Sequence, residues 1–266
     1  MASPLPLFTK GARDTWPEML GWVAAVVTAT LVYLPLYRSF GSSDLLAEFI
    51  QSMPEGLVRA LNYDLIATGA GYVQATIFGL IGFVLLTIAA IGWGAQAVGG
   101  DEDSGRLELT LAHAVTRSQV VLERALEMAV KVAILAAVTL GMVLLLNGPA
   151  ELGVDARNAA GTSVAFAALA LLSGAAALAA GAWTGRRLPA LIAGTAIAVL
   201  GYAFNGIGNQ NPDLDWLHRY SPYNWAFGNQ PLLNGVDWGA VALLGGIGLL
   251  LVALAVVGLN RRDISV

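Results

Sequence analysis

Apolar residues gather in six long runs, at residues 21–40, 72–98, 120–146, 161–183, 188–204 and 238–259. An α-helix needs roughly 20 such residues to cross a hydrocarbon core. The pattern therefore predicts six membrane-spanning helices and an all-α membrane protein. The run at 72–98 is longer than a bilayer needs, so its helix tilts or projects into the cytoplasm. Pro35 is placed to kink the first helix near its far end. Residues 41–71 are too polar to cross, yet Leu45, Leu46, Phe49, Ile50, Leu57, Val58 and Leu61 recur at helical spacing. That predicts one or two amphipathic helices on the outer surface, broken at Pro54. Residues 1–20 mix Lys10, Arg13, Asp14 and Glu18 with Leu5, Leu7, Phe8 and Trp16. They read either as an amphipathic segment along the membrane surface or as a disordered tail. As a signal peptide the segment is poor, because its apolar stretch starts late and no small-residue cleavage site follows.

The polar breaks differ in chemistry. Residues 100–119, GDEDSGRLELTLAHAVTRSQ, form the only densely charged run. Asp101, Glu102 and Asp103 begin it, Arg106, Arg117 and Arg124 follow, and Leu107, Leu109 and Leu111 lie between. Asp103-Ser104 ahead of Leu107-Glu108 reads as a helix start, since a side-chain oxygen can cap free N–H groups and acids suit the positive helix end. Two readings follow: a short amphipathic helix presented to something in water, or an ordinary solvated loop. The next run opens on Glu123, Arg124, Glu127 and Lys131. Glu123, Glu127 and Lys131 are four apart and share one helix face. At mid-membrane each charge costs about 2.5–3.5 kcal/mol on insertion scales. The helix is therefore expected to start in water and enter lipid near Val132. Its charges read as a polar lining of the inner mouth or as a solvated first turn.

Residues 147–160 form a short polar loop. In the alanine-rich run at 161–183, Leu172-Ser173-Gly174 reads as helix packing, and Gly181 with Gly185 forms a small-xxx-small pair. Residues 205–237 combine polar side chains with Trp216, Tyr220, Tyr223, Trp225 and Phe227. Amphipathic aromatics prefer the membrane boundary. One reading is an interfacial belt on a partly re-entrant loop. The other is an extracellular gate or release surface, with Tyr220, Tyr223, Trp225 and Phe227 as candidates.

Composition and charge set the orientation. Of 266 residues, 57% are hydrophobic and only 12% charged, against roughly 25% charged in soluble domains. Six spans put both ends on one side. With both ends inside, Lys10, Arg13, Arg106, Arg117, Arg124, Lys131, Arg186, Arg187, Arg261 and Arg262 are inner, and Arg38, Arg59, Arg157 and Arg219 outer. Ten against four follows the positive-inside rule. The termini and residues 100–119 are thus expected in the cytoplasm, with 41–71 and 205–237 outside.

Chemistry is mostly excluded. The absence of cysteine removes disulfides, thiolate metal sites and cysteine nucleophiles. His113 and His218 lie far apart in sequence, so no metal site is expected. No GxxxxGK(S/T), HExxH or GxSxG occurs, so no catalytic residue and no cofactor are expected in this chain. A net charge of −4 argues against nucleic acid. The central runs offer Gln74, Thr87, Gln96, Thr139, Ser173 and Thr195, but no paired acids for an ion relay. If the protein moves something, energy enters from a partner, and residues 100–119 are the place to receive it.

An acidic start, then Ser-Gly, Leu-Glu-Leu, Leu-Ala and later Thr-Arg, between the second and third spans, resembles the cytoplasmic signature of type-two ABC exporter permeases. Ser221-Pro222 before the last span and the ending Arg261-Arg262-Asp263-Ile264 are similar to that family's C-terminal half. Ala114 departs from it, where members often carry proline. The resemblance implies one six-helix permease domain over 1–266 with a surface-lying N-terminal helix in a bacterial or archaeal plasma membrane. It implies a second permease subunit, identical or different, and separate cytoplasmic ATPase subunits that bind ATP and magnesium. Glu102, Ser104, Gly105, Leu107, Glu108, Leu111 and Arg117 would form or brace a coupling helix docked on the ATPase. The apolar path suits a lipophilic drug, antibiotic or lipid. A secondary carrier or channel without an ATPase, and a membrane scaffold or sensor, remain as rivals.

Overall fold

Caps and apolar runs divide the chain into helices. The computed structural model describes residues 5–40, 52–54, 56, 58, 66, 68–112 and 115–263. In chain order the helices are α1 (Pro6–Asp14), α2 (Trp16–Tyr33), α3 (Leu36–Phe40), α4 (Gly69–Asp103), α5 (Arg106–Leu111), α6 (Arg117–Asn147), α7 (Ala156–Thr184), α8 (Arg187–Gln210), α9 (Pro222–Phe227), α10 (Pro231–Asn234) and α11 (Trp238–Arg261). A 3₁₀ stretch, Pro212–Tyr220, precedes α9. No strand occurs among the described residues. Side-chain oxygens of Thr68, Thr116, Asp155, Ser221 and Asp237 accept N–H groups at the starts of α4, α6, α7, α9 and α11. Each such cap stabilises its helix by about 1 kcal/mol.

Six stretches are long and apolar enough to cross a membrane: Trp16–Ser39, α4, α6, α7, α8 and α11. All six expected runs are recovered, with shifted ends. Pro35 divides α2 from α3, because it has no N–H to continue the helix. The 35 residues of α4 span roughly 50 Å at 1.5 Å per residue, well beyond a bilayer core of about 30 Å. α4 also contains two π-helical stretches, Gln74–Ile81 and Gln96–Gly100. The amphipathic helices expected over 41–71 fall almost entirely outside the described residues, as do His113 and Ala114.

The alanine-rich α7 is the axis of the bundle. In its most apolar window 72% of residues are buried, against 11% for α11. A helix that is apolar and small all round can be surrounded on every side. α4 touches it closely: a Cβ on Gly94 would lie 2.2 Å from the Gly174 carbonyl oxygen. Leu145, Leu188 and Leu249, by contrast, are exposed on the outside of the bundle. The expected Gly181–Gly185 packing pair is corrected. Gly181 does meet α4, with its Cβ position 3.1 Å from Gly99 N. Gly185 instead has φ +68° and ends α7, a left-handed conformation that glycine adopts without a Cβ clash.

The two ends of the bundle are chemically distinct. At one end lie α1, α5 and the C-terminal turn of α11, joined by Glu123 to Leu7 and Phe8, Arg117 to Leu259, and Glu102 to Arg262. The described N- and C-terminal residues thus share the end that carries residues 100–119. At the other end, Gln74 accepts from Leu232 N–H (3.1 Å) and α9 inserts Tyr223 and Phe227 among the long helices.

Candidate functional site

Within residues 100–119 the short helix is α5, and it is not the one the capping pattern predicts. Asp101–Asp103 are the last turn of α4, and α5 begins at Arg106 without a side-chain cap. Gly105, at φ +68°, turns the chain between them. Ser104 Oγ donates to the carbonyls of Gly100 (2.8 Å) and Asp101 (3.2 Å), closing α4 rather than opening α5. Acids at a helix C-terminus face the negative end of the dipole, so they need cations. Asp101 has Arg124 (3.1 Å), Arg106 (3.4 Å) and Gln96 Nε2 (3.0 Å). Glu102 pairs with Arg262, and Asp103 Oδ2 accepts from Arg187 N–H at 2.7 Å. One acidic turn thereby ties α4 to α5, α6, α8 and α11.

The other candidates divide into braces and an outward surface. Leu107 is 1% exposed and packs with Val98, Val121, Leu178 and Leu259. Arg117 donates to the carbonyls of Leu259 (3.0 Å) and Arg262 (2.6 Å). Glu108 is exposed, Leu111 is half-buried, and Leu109 is 67% exposed. Leu109 is the residue that spacing did not single out, because Leu107, Leu109 and Leu111 look alike until the docking of α5 separates them.

The charges that open α6 are not a solvated first turn. Glu123 is 2% exposed, Glu127 5% and Lys131 8%. α1 covers them. Glu123 Oε2 accepts from Leu7 N–H and Phe8 N–H, both at 2.8 Å, and Oε1 accepts from Gln119 at 2.6 Å. A carboxylate therefore caps the positive end of α1. Glu127 pairs with Lys131 (2.7 Å) and Arg124 (3.0 Å), and a Cβ on Gly11 would lie 2.2 Å from its Oε2. Lys131 Nζ lies 5.2 Å from the Trp93 ring centroid, while Trp93 Nε1 donates to Glu18 at 2.8 Å. The disordered-tail reading of residues 1–20 is replaced, from Pro6 on, by a helix docked on α6. Glu123→Ala is expected to free α1, because two buried N–H groups lose their acceptor at about 1–3 kcal/mol. Limited proteolysis within residues 1–15 should accelerate at least tenfold by that arithmetic, and Glu123→Gln, which keeps an acceptor oxygen, should fall between.

A cavity of about 600 Å³ opens between α1, the end of α4, α5 and the first turns of α6. Its lining includes Lys10, Asp14, Glu18, Trp93, Asp101, Arg106, Arg124, Glu127 and Lys131.

At the opposite end the four aromatic candidates part company. The Tyr223 hydroxyl donates to the Gly79 carbonyl (2.8 Å) inside the π-helical stretch of α4. Its ring meets Phe83, Tyr202 and Phe227 edge-on, with centroids 5.2, 5.0 and 5.2 Å away. Phe227 is buried as well. Trp225 is half-buried and donates to the Arg219 carbonyl at 3.2 Å. Tyr220 is exposed beside Trp216. The structure thus brings Tyr223 and Phe227 together as a plug, leaves Trp225 at its edge, and sets Tyr220 apart. Phe83 and Tyr202 complete the plug from apolar runs where nothing in the local pattern distinguishes them.

The model for an ABC-2 family transporter protein matches residues 5–264, through all six long helices and both candidate regions. The chain belongs to the ABC-2 transporter family. It is therefore a multi-pass membrane permease of an ABC transporter. A search of curated proteins returns no match for this permease. In the ABC-2 permease the match encloses α5, the buried ion network behind it and the plug of α9.

Proposed function

We propose that this permease is the membrane subunit of an ATP-driven exporter that moves a lipophilic substrate, a drug, antibiotic or lipid, out of the cytoplasm of a bacterium or archaeon. ATP and magnesium bind in separate cytoplasmic ATPase subunits, which dock on α5. A second permease subunit, a copy or a related chain, completes the path. The end bearing α1, α5 and the C-terminal turn of α11 is the cytoplasmic one, in keeping with ten of fourteen basic residues and the positive-inside rule. The observation that carries the reading is the anchoring of α5. A short helix with Glu108 and Leu109 outward sets Leu107 into a cluster with residues of α4, α6, α7 and α11 and pairs Arg106 with Asp101, while Arg117 and the Asp101–Asp103 turn tie the flanking α6 and α4 to α8 and the end of α11. Such a helix transmits a displacement rather than absorbing it.

Closure of the ATPase pair moves α5, and with it α4 and α6 as levers. Their movement alters the packing at the far end, where Tyr223 and Phe227 close the path. Two discrete packings biased by a partner are what such a cycle requires. Residues Glu102, Ser104, Gly105, Leu107 and Arg117 act as braces, and Glu108, Leu109 and Leu111 as the docking face. Replacing Glu108, Leu109 and Leu111 together by alanine is expected to lower substrate-stimulated ATPase activity and transport about tenfold or more in proteoliposomes, the loss of a small interface cluster. Glu108 and Leu109 are exposed, so their double alanine variant should keep the thermal stability of the isolated permease near wild type, and the half-buried Leu111, packed beside Leu107, accounts for any loss in the triple variant. Unchanged coupled turnover, or uphill transport by the permease alone, overturns the assignment.

A further inference from the structure

We propose that the cavity beneath α1 binds the headgroup of a zwitterionic phospholipid from the adjacent leaflet, its phosphate on Lys10 and Arg106 and its ammonium on Asp14 and Glu18. The volume, about 600 Å³, lies within the range of roughly 300–1,000 Å³ typical of ligand sites. Its depth fits a headgroup. Trp16 and Glu18 begin the first membrane-spanning stretch, and Lys131 is the last charge before the uncharged stretch 132–150 of α6 and its following turn. The cavity therefore opens where hydrocarbon gives way to water, beside a helix that lies against the bundle.

Its charges select the ligand. Lys10, Asp14 and Glu18 are spaced four apart and all line the cavity. Lys10 and Asp14 have no ion-pair partner among the described residues and are exposed. Facing them, Arg106 is exposed; its Nε donates to Ser104 Oγ at 3.0 Å and one terminal nitrogen reaches Asp101 at 3.4 Å, which leaves the rest of the guanidinium open to the cavity. The buried Nε of Arg124, behind it, has no hydrogen-bond partner among the described residues. A purely anionic ligand would meet Asp14 and Glu18; a purely cationic one would meet Lys10 and Arg106. A headgroup carrying both signs satisfies both pairs. Leu7, Trp93 and Met128 supply apolar lining for the glycerol esters and first methylenes. The inference rests on α1 lying at a membrane surface and not on the docking of an ATPase, so it is read without nucleotide or partner.

The test is native mass spectrometry of the full chain in mild detergent, titrated with dioleoyl phosphatidylethanolamine, dioleoyl phosphatidylglycerol or dioleoylglycerol. Phosphatidylethanolamine should bind the tightest. Replacing Lys10, Asp14 and Arg106 together by alanine should raise its Kd about tenfold or more, as expected when charge-assisted contacts are lost. Arg106→Lys should retain binding, and Arg157→Ala at the opposite end should leave it unchanged. Asp14→Lys, an exposed single change, should swap the preference toward phosphatidylglycerol. Equal retention by the triple variant, an unchanged preference in Asp14→Lys, or equal binding of dioleoylglycerol overturns the proposal. Free phosphoethanolamine competing as strongly as the whole lipid also overturns it, because the site would then take a water-soluble solute.

Discussion

Glu127→Ala is expected to destabilise the permease by about 3–5 kcal/mol, the range found when one partner of a buried ion pair is removed. Its carboxylate holds Lys131 at 2.7 Å and Arg124 at 3.0 Å, and its side chain is almost wholly enclosed. Without it, Arg124 keeps Asp101 at 3.1 Å. Lys131 keeps only the face of Trp93. The damage is therefore an uncompensated ammonium, not a lost attraction. That distinction is testable. Glu127→Leu combined with Lys131→Leu removes both charges, and apolar replacement of a buried pair is often neutral or stabilising. The double variant should recover most of the loss seen in Glu127→Ala. Thermal unfolding in detergent micelles measures both. A wild-type midpoint for Glu127→Ala would mean that the network is hydrated in the folded protein, and the bracing of α1 against α6 would fall with it.

Gly94→Val should separate α4 from α7. A Cβ at Gly94 would stand 2.2 Å from the Gly174 carbonyl oxygen and 3.2 Å from the Ala177 Cβ. The first contact is to backbone at the centre of the bundle, so no side chain can swing aside. The two helices must move apart, and overpacking of that kind costs about 1–3 kcal/mol, occasionally more. The same helix provides the control. Two residues earlier, Gly92 would place a Cβ with nothing inside 4 Å. Gly92→Ala should be neutral or stabilising by up to about 1 kcal/mol through helix propensity alone. Opposite outcomes at positions two apart would tie the effect to the contact and not to glycine content. If Gly94→Val unfolds at the wild-type temperature, the close approach of α4 and α7 is wrong.

The resemblance built on residues 101–117 and the layout of spans agrees with the family found over residues 5–264. The individual site residues were less legible. The i, i+4 spacing of Glu123, Glu127 and Lys131 placed them on one face, and all three are buried, Glu127 and Lys131 as an ion pair and Glu123 beneath the first turn of α1. Whether that face met water or protein depended on α1, which lies more than a hundred residues earlier. The acidic turn was misplaced for a related reason. Asp103-Ser104 carries the residue types of an N-cap, but cations on α5, α6 and α11 and the Arg187 N–H make the end of α4 a better place for its acids. No spacing in the sequence joins Glu102 to Arg262. In the outer loop, Tyr220 and Tyr223 are alike as amphipathic aromatics, yet one is exposed and the other plugs the bundle.

Six apolar lengths and the break at Pro35 were determined by the sequence on its own, because length and ring closure are properties of a few neighbouring residues. The burial of Glu127 and Lys131, the inward turn of Leu107 beside an outward Leu109, and the meeting of Tyr223 with the π-helical stretch of α4 were decided only by tertiary structure. Each of these depends on which distant helix arrives alongside, and a charge or ring is given its environment by that neighbour rather than by its own segment.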